Sequence, residues 1–342
     1  MQKLFAGIGA VVMCAGAALV AGQTPDVNKI LADARDALGG DKKVAAVRTV
    51  TATGRSTRVN GNGSTPNDFE MAMELPDKFV KKDTIAMING SAIARTSGFN
   101  GTNVIEAIDT PPQMGGATMI MRAPGQAPPG VTLTPEQQET MKKQALLANK
   151  QEFARLTLGM FASSYDGYPL TFSYAGQAEA PEGKADVVDV KGEGEFAAKL
   201  FIDAKSHMPL MLSWMAREPL VLNLGNRGQV SGGSGSPGAA MAAGMAAAGG
   251  GGSLQTFSRQ GGQMTPEERD QMQKDAAEMI RQAQEKLRIV EYRLYYSDYR
   301  TVDGVSVPFT IQRSIDGKPA EEVTFDKVKL NAKVDPKRFE SK

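Results

Sequence analysis

Alternation of apolar and polar residues dominates the second half of the chain. Tyr292, Leu294 and Tyr296 share one parity. Val305, Val307, Phe309 and Ile311 share another run, opposite Ser306, Pro308, Thr310 and Gln312. A period of two belongs to a half-buried strand, whose successive side chains point to opposite faces. Asp303-Gly304 and Asp316-Gly317 interrupt these runs with a dipeptide that favours tight hairpin turns. Val290 to Val302, Val305 to Ile315 and Pro319 to Leu330 therefore predict a three-stranded β-meander. Upstream, Thr171 to Ala175, Ala185 to Lys191, Phe196 to Asp203 and Met208 to Met215 read as further strands, the last placing Met208, Leu210, Leu212 and Trp214 together. From about Arg48 the same period holds, and Phe69, Met71, Met73 and Leu75 alternate with Asp68, Glu70, Ala72 and Glu74. Asn89-Gly90 and Asn100-Gly101 mark turns between such stretches. With Asn62-Gly63 they also form three glycosylation sequons, for which turn chemistry is a sufficient account.

Helical spacing appears in three places. Thr24-Pro25-Asp26 opens a helix with Thr24 as N-cap, and Val27, Ile30, Leu31, Ala34 and Leu38 form its buried face before Gly39-Gly40. Thr134-Pro135-Glu136-Gln137 and Thr265-Pro266-Glu267-Glu268 are capping-box starts for helices over about 134–156 and 265–288. The second carries an apolar stripe of Met272, Ala276, Met279, Ala283 and Leu287. Each follows an interruption of the strand pattern: a Pro, Gly and Met stretch from Pro111 to Gly130, and a tract from Ser231 to Ser253 with 20 Gly, Ala or Ser in 23 residues. The uncharged tract predicts a flexible tether spanning roughly 25 to 30 Å.

The first 22 residues carry one charged side chain, Lys3, then an apolar run from Leu4 to Val20 and small residues at Ala21-Gly22. This pattern predicts a cleaved secretory signal, and Met13 ahead of Cys14 argues against a lipidation site. An uncleaved membrane anchor is the competing reading, weakened by Gly7, Gly9 and Gly16. Cys14 is the only cysteine, so a processed chain would hold no thiol and tolerate an oxidising compartment. Although 342 residues would ordinarily suggest about two domains, the low-complexity tracts leave enough for one, over 23–342, with insertions at about 110–156 and 225–288.

Charge excludes one class of partner. Lys and Arg number 39 against 38 Asp and Glu, so no basic excess is present to concentrate nucleic acid. Catalytic spacing is equally sparse. His207, the single histidine, falls in a turn, where a solvated role is sufficient. Gly192-Glu193-Gly194 lacks the third glycine of a dinucleotide site, and the Walker, nucleophile-elbow and His-Glu-x-x-His patterns are absent. The acidic pairs Glu267-Glu268 and Glu321-Glu322 read as a solvated helix start and strand edge. The sequence thus predicts no catalytic residue, metal ligand or cofactor; a hydrolase using two carboxylates distant in the chain stays open. The 18 methionines, several on strands and on the helix after the tether, suit a surface that adapts to irregular apolar shapes.

Three segments then stand out: Phe99-Asn100-Gly101, the run from Leu200 through Asp203-Ala204-Lys205-Ser206-His207-Met208-Pro209 to Leu210, and the run from Tyr296 through Val302-Asp303-Gly304 to Pro308. Together with Asn331, Val334-Asp335-Pro336 and Phe339 they resemble the LolA/LolB-type outer-membrane lipoprotein-sorting family, over roughly 45–109, 165–220 and 289–340. The resemblance implies an α+β fold: a curled antiparallel half-barrel with helices on its concave face, holding acyl chains of lipids or lipoproteins in the periplasm. The two helix-bearing insertions and the tether depart from compact carriers of that family. On this reading Met71, Met73, Leu210, Leu212, Trp214, Leu294, Tyr296, Phe309 and Ile311 contact the ligand, and Met272 and Met279 sit on a lid. The competing expectation is a non-catalytic envelope sensor or scaffold whose half-barrel is filled by its own side chains and which docks a protein partner.

Overall fold

The computed structural model describes residues 25–60, 63–86, 92–109, 134–181, 183–218, 220–222, 230–232, 285 and 287–340. The signal segment, nearly all of the tether, and the helix expected over 265–288 with Met272 and Met279 lie outside the described residues.

The chain opens with α1 (Val27–Ala37) and the short α2 (Asp41–Ala45). Asp26, and not Thr24, caps α1: its carboxylate accepts from the Asn28 amide at 2.9 Å. Pro25 therefore precedes the helix, and Ile30, Leu31, Ala34 and Leu38 are buried as their spacing requires. Five strands follow, β1 (Thr49–Asn60), β2 (Gly63–Glu74), β3 (Lys78–Ala86), β4 (Ala92–Asn100) and β5 (Asn103–Asp109). After them comes α3 (Pro135–Phe161), then β6 (Thr171–Ala180), β7 (Gly183–Gly192), β8 (Phe196–Asp203) and β9 (Pro209–Arg217). A two-stranded ribbon, β10 (Leu220–Leu222) with β11 (Val230–Gly232), precedes β12 (Ile289–Val302), β13 (Val305–Ile315) and β14 (Lys318–Leu330), and a 3₁₀ turn at Pro336–Phe339 closes the described chain. The meander expected at 290–330 is present, with Asp303, Gly304, Asp316 and Gly317 all at positive φ, as tight hairpin turns need.

Twelve strands form one antiparallel sheet in the order β5-β4-β3-β2-β1-β14-β13-β12-β9-β8-β7-β6. Its end strands β5 and β6 do not pair with each other, so the sheet stays open. Packing shows that it is strongly curled. One helix, α3, touches β4 and β5 on one side and β9 and β13 on the other. β4 and β9 lie seven strand spacings apart in that order, about 34 Å if the sheet were flat. A helix is only about 10–12 Å across. The sheet must therefore wrap around α3, giving an α+β half-barrel with its helix on the concave side. Bulges accommodate the bend, as at Thr53/Gly54, where a Cβ on Gly54 would lie 2.1 Å from the Thr324 carbonyl.

α3 begins with the expected capping box, Thr134 with Gln137. It runs to Phe161, five residues past the predicted end, because Leu156, Leu158, Met160 and Phe161 find apolar neighbours inside the curl. Its two halves differ: residues 135–140 and 142–144 are exposed, whereas Phe153, Ala154 and 156–161 are buried.

Candidate functional site

The concave wall can be followed strand by strand through directly opposed residues. One row runs Val188, Leu200, Leu212, Leu294, Arg313, Glu321 and Arg58 across β7, β8, β9, β12, β13, β14 and β1. Halfway across, the row changes from aliphatic to charged. On β3, Asp83 stands opposite Phe69 and Arg95, and Lys81 opposite Met71, so acid and base continue across the wall.

The apolar half behaves as the alternation predicts. Leu212, Leu294, Tyr296 and Trp214 are buried, and Trp214 stacks on Tyr292 with ring centroids 5.3 Å apart. The Arg155 guanidinium of α3 lies 4.5 Å above the Trp214 ring and 5.3 Å from that of Phe196. Tyr296 donates its hydroxyl hydrogen to the Arg155 carbonyl at 2.8 Å, and the Tyr299 hydroxyl lies 3.2 Å from the carbonyl of Gly159 and 2.8 Å from that of Pro209. These bonds hold the buried half of α3 against β12. Gly159 is required there, since a Cβ would fall 2.2 Å from the Tyr296 ring.

The charged half is tightly paired. Arg313 reaches Glu152 of α3 at 3.1 and 3.4 Å and Glu321 at 3.2 Å. Glu321 also accepts from Arg58 at 3.1 Å and from Ser56 at 2.9 Å. Arg58 approaches Asp83 at 3.6 Å, and Lys81 approaches Glu152 at 3.5 Å. Burial alone would push the Glu321 carboxyl up, but Arg313, Arg58 and Lys81 outweigh it and hold it down at about 2. Glu152 is likewise shifted well below the ordinary range: burial opposes, and Lys81, Arg313 and Arg155 prevail. Burial draws Arg155 down to about 10, with Glu152 working against that shift, so it stays protonated near neutral pH. Edgewise on β5, burial pushes Glu106 up to about 7, with Arg95 only partly opposing.

Between the helix and this half of the wall lies a cavity of about 30 Å³. That is room for about two waters. Lys81, Asp83, Glu152, Arg313 and Glu321 supply its polar lining; Phe69, Leu156, Leu294, Ile311, Val323 and Phe325 supply the apolar part.

The expected contact residues divide accordingly. Leu294 and Ile311 line the cavity; Met71, Met73, Leu212, Trp214, Tyr296 and Phe309 are buried in the same core. Phe309 carries Arg300 over its ring at 4.4 Å. Leu210 departs from its expected partners. The β8–β9 register slips at Phe201/Ile202, and Leu210 is 40% exposed while Leu212 is fully buried. Glu321 corrects a second expectation: it is not a solvated strand edge, because β14 sits inside the sheet between β1 and β13. His207 occupies the β8–β9 turn at φ 58 and is half-buried. The sequence reading passed over Arg58, Lys81, Asp83, Glu152, Arg155 and Arg313. A signal was available for the strand residues: Arg313 continues the parity of Val307, Phe309 and Ile311, and Lys81 and Asp83 continue that of Phe79.

The fold and wall define an open antiparallel half-barrel closed over one helix. No family model and no curated protein matches the chain. Among solved structures, the chain is similar to a domain named for outer-membrane lipoprotein sorting from Vibrio parahaemolyticus, at 9% identity and TM-score 0.40 over 92% of this chain and 97% of that one. It is similar over the same shares to a DUF1329 family protein from Desulfovibrio piger at 7% identity and TM-score 0.39. A LolA superfamily protein from Nitrosomonas europaea gives 8% identity and TM-score 0.38, again over 92% and 97%. At these degrees of superposition, the fold assignment stands on the sheet order and packing given above.

Proposed function

We propose that the protein is an exported, non-catalytic binding protein of the cell envelope that carries acyl chains of lipids or lipoproteins in its half-barrel, α3 yielding its place to the guest. The observation that carries this reading is the packing of α3: its buried half fills a curled apolar wall, while its first ten residues stand largely exposed outside it. Each CH₂ withdrawn from water contributes about 0.8 kcal/mol, so a long chain lying on that wall offsets much of the helix burial it replaces. The single charge, apolar run and small residues of the first 22 positions support export to the periplasm as part of this reading. Binding suits the acids better than hydrolysis does. Glu152 and Glu321 are held ionised by paired cations, which leaves neither with a proton to donate as a general acid near neutral pH.

Delipidated protein mixed with ¹⁴C-palmitate or a palmitoylated peptide should retain label through gel filtration; elution free of label under both conditions contradicts the proposal. One observation favours a second reading, docking of an envelope protein partner: α3 already covers the wall, and the cavity beside Glu152 measures only about 30 Å³. Photo-crosslinking from Lys143 on exposed α3 in envelope extracts separates the two, giving a discrete protein adduct under the second reading and lipid adducts under the first.

A further inference from the structure

We infer that the half-barrel selects acyl chains ending in a single carboxylate, free fatty acids in chemical terms, whose head takes the place of Glu152 between Arg313 and Lys81. This deepens the carrier reading and rests on it. The argument is one of charge balance in a buried site. The sheet contributes Arg58, Lys81 and Arg313 to the cluster but only Asp83 and Glu321 as acids, and the balancing carboxylate, Glu152, arrives on α3. Arg155 lies on α3 and leaves with it. When α3 yields to a guest, the wall is left with an uncompensated positive charge in an apolar setting, which a neutral guest cannot relieve.

Three details point to a carboxylate rather than to any anion at large. Arg313 already addresses both oxygens of Glu152 with one terminal nitrogen, at 3.1 and 3.4 Å. Its Nε–H is buried without an acceptor, and its side chain is only 8% exposed, so it retains a donor for a further oxygen. Lys81 holds Glu152 only at 3.5 Å, a long contact for an ammonium with three hydrogens to place. Around them Phe69, Leu294, Ile311, Val323 and Phe325 of the sheet are suited to the first methylenes of a chain. Glu152 thus serves as an internal stand-in for the head of the guest. Acyl groups held in ester or amide linkage carry no such charge and would leave Arg313 and Lys81 unmatched.

The test compares palmitate with its neutral counterparts hexadecanol and methyl palmitate, at submicellar concentration, by displacement of a fluorescent acyl probe from delipidated full-length protein. Palmitate should bind at least tenfold tighter than either. Lys81→Gln, at the most loosely held cation of the three, should reduce that preference to less than threefold. Glu152→Gln, which removes the internal competitor, should strengthen binding of palmitate and hexadecanol alike and keep the preference for the acid in place. Equal affinity of wild-type protein for the acid, alcohol and ester overturns the inference while leaving the carrier reading intact, as does binding of the neutral compounds only. Absence of binding by all three overturns both.

Discussion

The two halves of the concave wall are built from the same strand geometry but held by different forces. On the β7–β9 and β12 side, Val188, Leu200, Leu212 and Leu294 are buried in the same apolar core as α3; on the β13, β14 and β1 side, Arg313, Glu321 and Arg58 occupy the same row. Apolar burial is non-directional and tolerates a change of occupant. A buried ion pair is not tolerant in this way, because removing one member strands the other in a medium that solvates it poorly. The difference teaches that the aliphatic half makes few demands on what packs against it, whereas the charged half requires a matching charge.

Breaking the charged half should have the largest effect. Arg313→Met leaves both Glu152 and Glu321 short of their shared partner, and a loss of about 3–5 kcal/mol is expected in urea unfolding. On the other side, Leu212→Ala opens a cavity beside Leu200 and Leu294 and should cost about 2–4 kcal/mol by the same measurement. pH separates the two further. Glu321 has its folded-state pKa lowered to about 2 from 4.5, so its contribution is present above pH 4.5 and is lost as pH falls toward 2. Stability measured across that interval should fall steeply in the wild type and in Leu212→Ala alike, and more gently in Glu321→Gln. The smallest effect is expected at the sheet margin. Glu106 is shifted the other way, to about 7, so the stability linked to its proton is present below pH 4.5 and is lost as pH rises to 7. Glu106→Gln should gain about 1–2 kcal/mol at pH 8 and nothing at pH 4, as read by thermal unfolding over the two buffers.

The same division explains what the amino-acid sequence disclosed. Strand alternation and Asp-Gly turns located the 290–330 meander closely, because hydrophobic parity and turn chemistry are both local. They also placed Leu212, Trp214, Leu294 and Tyr296 on the buried face. The charged half escaped because its residues join only through sheet order: Arg58 meets Glu321 across 263 positions, and Glu152 meets Arg313 across 161. Glu321 looked like one of two adjacent surface acids until β14 was seen between β1 and β13. Leu210 misled for a local reason, since a bulge moves a side chain off its parity without any mark in the apolar pattern. The extent of α3 was underestimated because its last turns, 156–161, are buried on every side, which gives no one-sided stripe.

The central claim is that α3 occupies the place of the guest. Spin labels at Lys143, on the exposed stretch of α3, and at Lys199, on the outer face of β8, report their separation by pulsed electron resonance. With palmitate bound, the account predicts that the distance distribution shifts by about one helix diameter, roughly 10 Å; an unchanged distribution in protein shown to hold palmitate would contradict it.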